Sequence, residues 1–357
     1  MPVIDADTHL IETEQTWDFM DKADSQYRPI IITPKGESGK QYWFIDGKLR
    51  GNARTAVTAQ DVHKMEETVG RKMEAPDEAR EGGVAARLKH MDQLGVDIQV
   101  LWPTMFLERV ADRAEAEVAV CRGYNRWLGQ IWKEGKGRLR WVAVLPFLSM
   151  PDAMDELHWA HENGAVGIFM RGIEGERLMH DPYFFPIYEE VSRLNMAVGV
   201  HAGNANPYVR DLLQQRNVPG TFWAYRMSAI GAFHSMIMTG LPDKFPNLRF
   251  GFVELAAQWV PWALKDAMRR LPQQRGRLIA ENPMKAYRMY VACQRDDDVS
   301  YIVRYSGEDN LVMGTDYGHH DHAADLDGLQ KLKDTGDLSP AVYRKIVDDN
   351  PRALYGL

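Results

Sequence analysis

Eight short runs of apolar residues recur along this chain, and each is followed by a stretch with helical periodicity. Most of the runs are continuously apolar instead of alternating, which is typical of parallel strands buried on both faces. Repeated strand–helix units predict an α/β fold around a parallel sheet. The predicted strands cover residues 3–7, 98–102, 139–145, 165–170, 196–201, 249–254, 289–293 and 311–315.

The helical patterns lie between these runs and complete the repeat. They cover residues 108–133, 151–162, 183–194, 222–238, 258–271 and 326–333, with 340–349 at the end of the chain. Eight parallel strands alternating with helices favour a closed (β/α)8 TIM barrel over an open sheet. No GxGxxG motif follows the first run, which weakens the dinucleotide-binding alternative. We therefore expect one barrel domain over residues 1–357.

One stretch departs from the repeat, because about ninety residues separate the first two predicted strands where a βαβ unit needs only about thirty. Residues 41–49 read QYWFIDGKL, and Asp46-Gly47 is a favourable two-residue hairpin turn. Residues 55–83 are polar and charged. We interpret 21–83 as an insertion over the barrel mouth, part hairpin and part mobile lid. The alternative is a surface excursion with no role.

The composition narrows the class of partner. Lys plus Arg total 43 and Asp plus Glu total 50, so the net charge is −7 and nucleic acid is disfavoured as the main partner. No apolar run approaches the ~20 residues of a membrane span. Cys121 and Cys293 lack metal-type spacing, and the N-terminal MPVIDADTHL lacks the features of a secretory signal. We expect a cytoplasmic protein that acts on a small molecule.

Polar residues stand at the C-terminal ends of four predicted strands. They are Asp7 and His9 on the first, His201 on the fifth, Glu254 on the sixth and Asp316 on the eighth. In a parallel barrel these ends meet at one mouth, where active sites lie. Imidazole and carboxylate together suit Zn²⁺, Mn²⁺ or Fe²⁺. Structural interpretations stay open: a loop cap for Asp7 and His9, a core histidine for His201, a salt bridge for Glu254 and a turn for Asp316.

Several longer segments resemble the amidohydrolase superfamily, and within it the branch similar to aminocarboxymuconate-semialdehyde decarboxylase. The resemblance covers nearly the whole chain outside the insertion. It rests on VIDADTHLIE at 3–12, HMDQLGVDIQVLWPT at 90–104, NGAVGIFMR at 163–171, DPYFFPIYEEVSRLNMAVGVHAG at 181–203, HSMIMTGLPDKFPNLRFGFVELAAQWVPWAL at 234–264, LVMGTDYGHHD at 311–321 and DNPRALYGL at 349–357.

This resemblance implies one divalent metal ion held by Asp7, His9, His201 and Asp316, and a homodimer. Two departures from the family pattern bear on chemistry. The commonest first motif of the family is His-x-His, and Asp7 replaces its first histidine, which favours harder ions such as Mn²⁺ or Fe²⁺. The decarboxylase also has an acid–base histidine at the end of strand six, where this chain has Glu254.

Other residues are candidates for the surroundings of the metal. Glu12, three residues after His9, is expected to orient His9, with a surface position as the alternative. Three arginines, Arg171, Arg50 and Arg54, are expected to hold a substrate carboxylate. Trp102 and His319 are expected to contact the substrate. The candidate substrate-binding residues are Arg171, Arg50, Arg54, Trp102 and His319.

These features predict a metal-dependent enzyme with Glu254 and Asp316 as its catalytic residues. In a hydrolase, one of these carboxylates takes a proton as metal-activated water attacks the substrate. In a non-oxidative decarboxylase, the metal binds substrate oxygens and a general acid protonates the ring or alkene carbon before carbon dioxide leaves. Glu254 in place of the histidine favours the hydrolase by a small margin, and the decarboxylase is the alternative. A catalytically inactive binding barrel is the third interpretation.

Overall fold

A computed structural model describes residues 1–36, 41–54, 59–215, 221–320, 323–335 and 338–357. Its centre is an eight-stranded sheet in which all paired neighbours run parallel, in the order of the sequence. The barrel strands are β1 Ile4–Leu10, β2 Ile98–Pro103, β3 Leu139–Val144, β4 Ala165–Arg171, β5 Ala197–His201, β6 Arg249–Val253, β7 Met289–Cys293 and β8 Leu311–Met313. All eight predicted strands are therefore confirmed.

The sheet closes on itself at the junction of β8 and β1. Thr8 and Tyr317 form a parallel bridge just beyond β8, and the Asp316 amide donates to the Asp7 carbonyl oxygen at 3.0 Å. Five of the strands, β1, β4, β5, β7 and β8, are buried from end to end, and each of the other three has one half-buried residue, which explains why the sequences are nearly continuously apolar. The fold is a (β/α)8 TIM barrel, as predicted.

Helices connect the strands and cover the outside of the barrel. The α-helices are Ala59–Val69, Asp77–Arg80, Val84–Leu94, Ala114–Glu134, Met150–Glu162, Phe185–Arg193, Pro207–Gln215, Met227–Thr239, Leu241–Lys244, Val260–Arg275, Pro283–Ala286, Val299–Ser306, Gly328–Lys331, Pro340–Arg344 and Asn350–Tyr355. The described part of the chain contains no helix long and apolar enough to cross a membrane.

Two predicted helices differ from the structure in their first turns. The pattern at 108–133 begins as a helix only at Ala114, because residues 108–113 form a loop at the barrel mouth. The pattern at 222–238 begins with a π-helical turn, Thr221–Arg226, before the α-helix Met227–Thr239. Hydrophobic periodicity does not register the wider π turn, which is often found near functional sites.

The insertion contains a three-stranded antiparallel sheet, Ile30–Ile32, Gln41–Ile45 and Lys48–Arg54. The last two strands form a hairpin across Asp46 and Gly47, which have φ angles of 51° and 75°, as a two-residue turn of this kind requires. The helix Ala59–Val69 follows the hairpin. Whether the insertion moves as a lid stays a prediction.

Candidate metal centre and active site

The end of β1 brings two polar side chains to the inside of the barrel. Asp7 and His9 are two residues apart on a strand and so face the same side. Both are buried, and Gly314, the residue after β8, leaves room for Asp7: a Cβ added there would lie 2.2 Å from Asp7 Cβ. Any larger residue at 314 would therefore push Asp7 out of its position.

The side chains at the ends of β1, β5, β6 and β8 converge on one small region. Nε2 of His9 lies 3.1 Å from Nε2 of His201. Asp7 Oδ1 lies 3.5 Å from the first of these nitrogens and 3.4 Å from the second. Asp316 Oδ1 is 3.4 Å from His9 Nε2, and Glu254 Oε2 is 3.4 Å from His201 Nε2. The structure thus brings together all five side chains that the strand ends suggested.

Backbone carbonyl groups fix the tautomers of the two histidines. Nδ1 of His9 lies 3.1 Å from the Pro103 carbonyl oxygen, and Nδ1 of His201 lies 2.9 Å from the Ala202 carbonyl oxygen. Because a carbonyl only accepts, each Nδ1 is the donor, and each Nε2 turns a lone pair towards the other. Two lone pairs 3.1 Å apart repel unless a proton or a cation lies between them.

The dimensions of the cluster fit a divalent cation. An ion that binds two imidazole nitrogens at about 2.1 Å holds them about 3.0 Å apart at a right-angled ligand geometry and about 3.4 Å apart at a tetrahedral one, and the two Nε2 atoms lie close to the first of these values. Asp7 Oδ1 is buried and accepts no hydrogen bond from the described residues, although it faces both nitrogens. Asp7, His9 and His201 bring their ligand atoms within 4.8 Å of one another, as do His9, Glu254, Asp316 and His319.

Electrostatics within the cluster favour the same interpretation. Burial lowers the pKa of His9 to about 3, with His319 adding to the effect. Burial would also lower the pKa of His201, but Asp7 and Glu254 outweigh it and raise that pKa. Burial opposes ionisation of Asp7, yet His201 and His9 hold the pKa of its carboxyl well below the ordinary range. A proton on His201 can therefore bridge to Asp7, and a binding cation displaces it.

Two residues of the cluster have strained backbones. Glu254 and Asp316 have φ angles of 57° and 53°, in the left-handed region that non-glycine residues rarely occupy. Ala256, close to Glu254, has a φ angle of 53°. Strain of this kind concentrates at functional sites, where the surrounding structure imposes it to aim a side chain. Sequence alone does not reveal these conformations, because the residue types are not glycine.

Glu12 does not contact His9 directly but organises the loop after β2. Its buried carboxylate accepts the backbone N–H groups of Thr104 and Met105 at 3.0–3.1 Å. Burial raises the pKa of this carboxyl to about 7. The Thr104 hydroxyl in turn lies 3.0 Å from Nε2 of His319. Glu12 thus acts on the cluster through this loop, and the sequence did not identify Thr104.

His319 covers the cluster from the side of the barrel mouth. Its ring stacks on His9 with 3.8 Å between centroids, and its Nδ1 lies 2.8 Å from Asp316 Oδ1. Trp102, also a sequence candidate, is fully buried, and its Nε1 donates to the Ala6 carbonyl oxygen. The indole lies 5.2 Å from the His201 ring and passes close to Gly199, so it supports the cluster from within the barrel.

The sequence-predicted arginines have partners within the protein. Buried Arg171 makes a bidentate ion pair with Glu174 and also donates to the carbonyl oxygens of Phe106 and Glu108. The carboxylate that binds Arg171 therefore belongs to the protein, and Arg171 holds the loop of Phe106 and Glu108 in place. Arg50 pairs with Asp112 at 3.1 Å. The Arg54 side chain lies outside the described part of the structure. A substrate-binding role for any of them stays a prediction.

A cavity of about 870 Å³ opens at the barrel mouth beside His319. Its inner wall includes Ile11, Thr104, Met105 and Tyr225 from the barrel loops. The outer wall comes from the insertion. The insertion residues of the wall are Gly51, Asn52, Ala53, Val62, Glu66, Lys72, Glu74, Ala75, Pro76, Asp77, Arg80 and Glu81. Residues of the insertion therefore line this cavity, and a role for the insertion over the barrel mouth stays a prediction.

A closed parallel barrel with imidazole and carboxylate groups gathered at the C-terminal strand ends defines the class of metal-dependent TIM-barrel enzymes. The comparison with protein families agrees with this class. The family model described as Amidohydrolase matches residues 4–357, so the chain belongs to that family and is an enzyme of the amidohydrolase superfamily.

Individual relatives are distant. The 2-amino-3-carboxymuconate-6-semialdehyde decarboxylase of Dictyostelium discoideum is 24% identical over 241 residues, which span 65% of this chain and 65% of that protein. An amidohydrolase from Mycobacterium avium subsp. paratuberculosis K-10 has a TM-score of 0.80 at 18% identity, covering 100% of this chain and 98% of its own. The dihydroxybenzoic acid decarboxylase of Polaromonas sp. JS666, with bound manganese and 2-nitroresorcinol, has a TM-score of 0.64 at 18% identity, covering 100% and 97%.

Proposed function

We propose that this protein is a metal-dependent, non-oxidative decarboxylase of an aromatic or unsaturated carboxylic acid. The observation that carries the proposal is the buried cluster in which the two Nε2 atoms of His9 and His201 lie 3.1 Å apart, flanked by carboxylates. The decarboxylase activities of the Dictyostelium and Polaromonas relatives support the proposal. Decarboxylation, which the sequence analysis gave as the alternative, is therefore proposed in preference to hydrolysis.

We assign the binding of the ion to four residues. Asp7, His9, His201 and Asp316 would hold one divalent cation, which supplies positive charge that binds and polarises substrate oxygens. Two carboxylates formally balance the charge of the ion, so this set favours a harder ion than an all-histidine set does. We propose Mn²⁺, which the Polaromonas relative carries. The two backbone carbonyls behind the histidines keep both Nε2 atoms available.

Glu254 is the residue that we assign to proton transfer. Glu254 as a carboxylic acid can donate a proton to the ring or alkene carbon that carries the carboxylate. The bond from this carbon to the carboxylate carbon then breaks, carbon dioxide leaves, and the bonding electrons restore the unsaturated system that protonation interrupted. The left-handed backbone at Glu254 aims the carboxyl into the cluster, 3.4 Å from His201 Nε2.

Hydrolysis remains the second candidate because of the same residue. The decarboxylases that the sequence resembles place a histidine where this chain has Glu254. A carboxylate beside the cation site is a suitable base for taking a proton from attacking water. In that reaction Glu254 or Asp316 would accept the proton, and the products would be an acid and an amine or alcohol.

The products of one reaction separate the two candidates. Enzyme loaded with Mn²⁺ is incubated in D₂O with hydroxybenzoates, carboxyvanillate and amino-carboxymuconate derivatives, and in parallel with the methyl esters and N-methylamides of the same acids. Headspace carbon dioxide and released methanol or methylamine are measured. We expect carbon dioxide together with one deuterium at the carbon that carried the carboxylate. The control is His201→Ala, which should release none. Release of an amine or alcohol without carbon dioxide would favour the hydrolase and contradict the proposal.

A further inference from the structure

Arg80, which the sequence analysis did not single out, lies where the insertion meets the metal-binding loops. Its backbone carbonyl accepts the Ile11 N–H at 2.9 Å, two residues after His9. Its Nε donates to the Gly318 carbonyl oxygen at 2.7 Å, between Asp316 and His319. The same side chain lines the 870 Å³ cavity. The guanidinium is therefore fixed at the edge of the candidate active site.

The positive charge of Arg80 is only weakly compensated within the protein. Its side chain is 15% exposed, and burial lowers the pKa of the guanidinium. Its ion-pair partner among the described residues is Asp77, at 3.1 Å, whose side chain is 83% exposed. An exposed partner is screened by water and contributes little. A mostly buried cation with a solvated partner favours an additional anion from the cavity side.

The other carboxylates of the cavity wall have different partners or positions. Glu66 accepts the backbone N–H groups of Met73 and Glu74, and Glu108 accepts the Tyr225 hydroxyl. Glu74 and Glu81 are solvent-exposed. Glu81, the residue after Arg80, opposes the fall of the Arg80 pKa, but from an exposed position that water screens. Among the residues that the structure describes, none of these carboxylates lies within ion-pairing distance of Arg80, so they leave its charge without a buried counterion.

His320 supplies a second polar group to the same wall. Its Nε2 is buried and has no hydrogen-bond partner among the described residues. Burial lowers the pKa of His320 to about 4, and the nearby positive charge of Arg80 adds to this effect. Arg80 and His320 both line this one cavity. The carboxylate partner of Arg171 is buried, with a side chain 4% exposed, whereas the partner of Arg80 is 83% exposed.

We propose that Arg80, assisted by His320, binds a second carboxylate of the substrate, remote from the carboxylate that leaves. The substrate class is then a dicarboxylic acid, oriented with one carboxylate at the metal cluster and the other beside the Gly318 loop. A guanidinium matches a carboxylate through paired N–H donors, which a point charge cannot do. The inference rests on the proposed function for the first carboxylate, and on Arg80 for the second.

Binding measurements test this without any turnover. Mn²⁺-loaded enzyme is titrated calorimetrically with benzene-1,3- and benzene-1,4-dicarboxylate, and with the monomethyl ester of each, which keeps the shape and removes one charge. We expect at least one diacid to bind about tenfold or more tightly than its ester, since charge-assisted hydrogen bonds are the strong ones. Arg80→Gln should abolish this ratio, and Arg80→Lys should restore only part of it.

The ratio separates substrate binding from a purely structural role. If Arg80 only braces the Ile11 and Gly318 loops, Arg80→Gln weakens diacid and ester equally and leaves the ratio unchanged. Arg193→Gln is the matched control, because Arg193 is 65% exposed and pairs with Glu190 on its own helix. A wild-type enzyme that binds neither diacid more tightly than its ester, or that binds neither compound, overturns the proposal. Failure of decarboxylation alone leaves the ratio, and the proposal, intact.

Discussion

The loop after β6 predicts a substitution that stabilises the protein. Ala256 has a φ angle of 53°, and the left-handed conformation costs an alanine about 1–2 kcal/mol. Glycine removes most of this cost but adds about 0.4–1 kcal/mol of conformational entropy to the unfolded chain. Ala256→Gly should therefore raise the free energy of unfolding by about 1 kcal/mol. Such a gain would mean that the native chain retains strain to aim Glu254.

Scanning calorimetry measures this effect against a neighbour. At roughly 2.1 cal/mol/K per residue, a chain of 357 residues has an unfolding entropy near 750 cal/mol/K, so 1 kcal/mol raises the melting temperature by about 1 °C. Ala257→Gly is the control, because Ala257 is buried and lacks a positive φ. It should lower the melting temperature. If Ala256→Gly lowers it as much as Ala257→Gly does, the strain argument is refuted.

Three further substitutions test the site and its support. Glu254→Gln should lower turnover roughly 10²–10⁴-fold without loss of metal, as kinetics with elemental analysis would show. Burial raises the pKa of Glu117 to about 7, so the wild-type protein should lose up to about 3 kcal/mol of stability as pH rises from about 4.5 to about 7. Glu117→Gln should remove this loss, which denaturant unfolding at pH 5 and pH 8 measures. Glu174→Gln should cost about 3–5 kcal/mol in the same assay by leaving Arg171 buried without its carboxylate.

The barrel and the convergence of the strand-end side chains could be predicted because both follow from local pattern and symmetry. Strands buried on both faces are continuously apolar, so a run such as Met289–Cys293 is recognisable without any knowledge of its neighbours. Parallel strands all end at one mouth, so His201 and Asp316 could be placed near Asp7 although more than a hundred residues separate them.

The parts that sequence did not predict depend on contacts between distant segments. Arg80 acquires its position from Gly318, 238 residues later, and nothing in the local sequence around Arg80 indicates that partner. Arg171 ends β4 as a substrate-binding arginine would, but Glu174 three residues on satisfies its guanidinium. Glu12 was expected to orient His9, yet its hydrogen bonds go to the Thr104 loop, which lies far from it in the sequence.

The central claim is that Asp7, His9, His201 and Asp316 hold one divalent cation. Diffraction from crystals of the Mn²⁺-loaded protein, recorded at the manganese absorption edge, tests it most directly. We expect a single anomalous peak per chain between the Nε2 atoms of His9 and His201, at about 2.0–2.3 Å from each ligand atom. A fully loaded crystal with no peak between these nitrogens, or with its only peak elsewhere in the chain, would contradict the account.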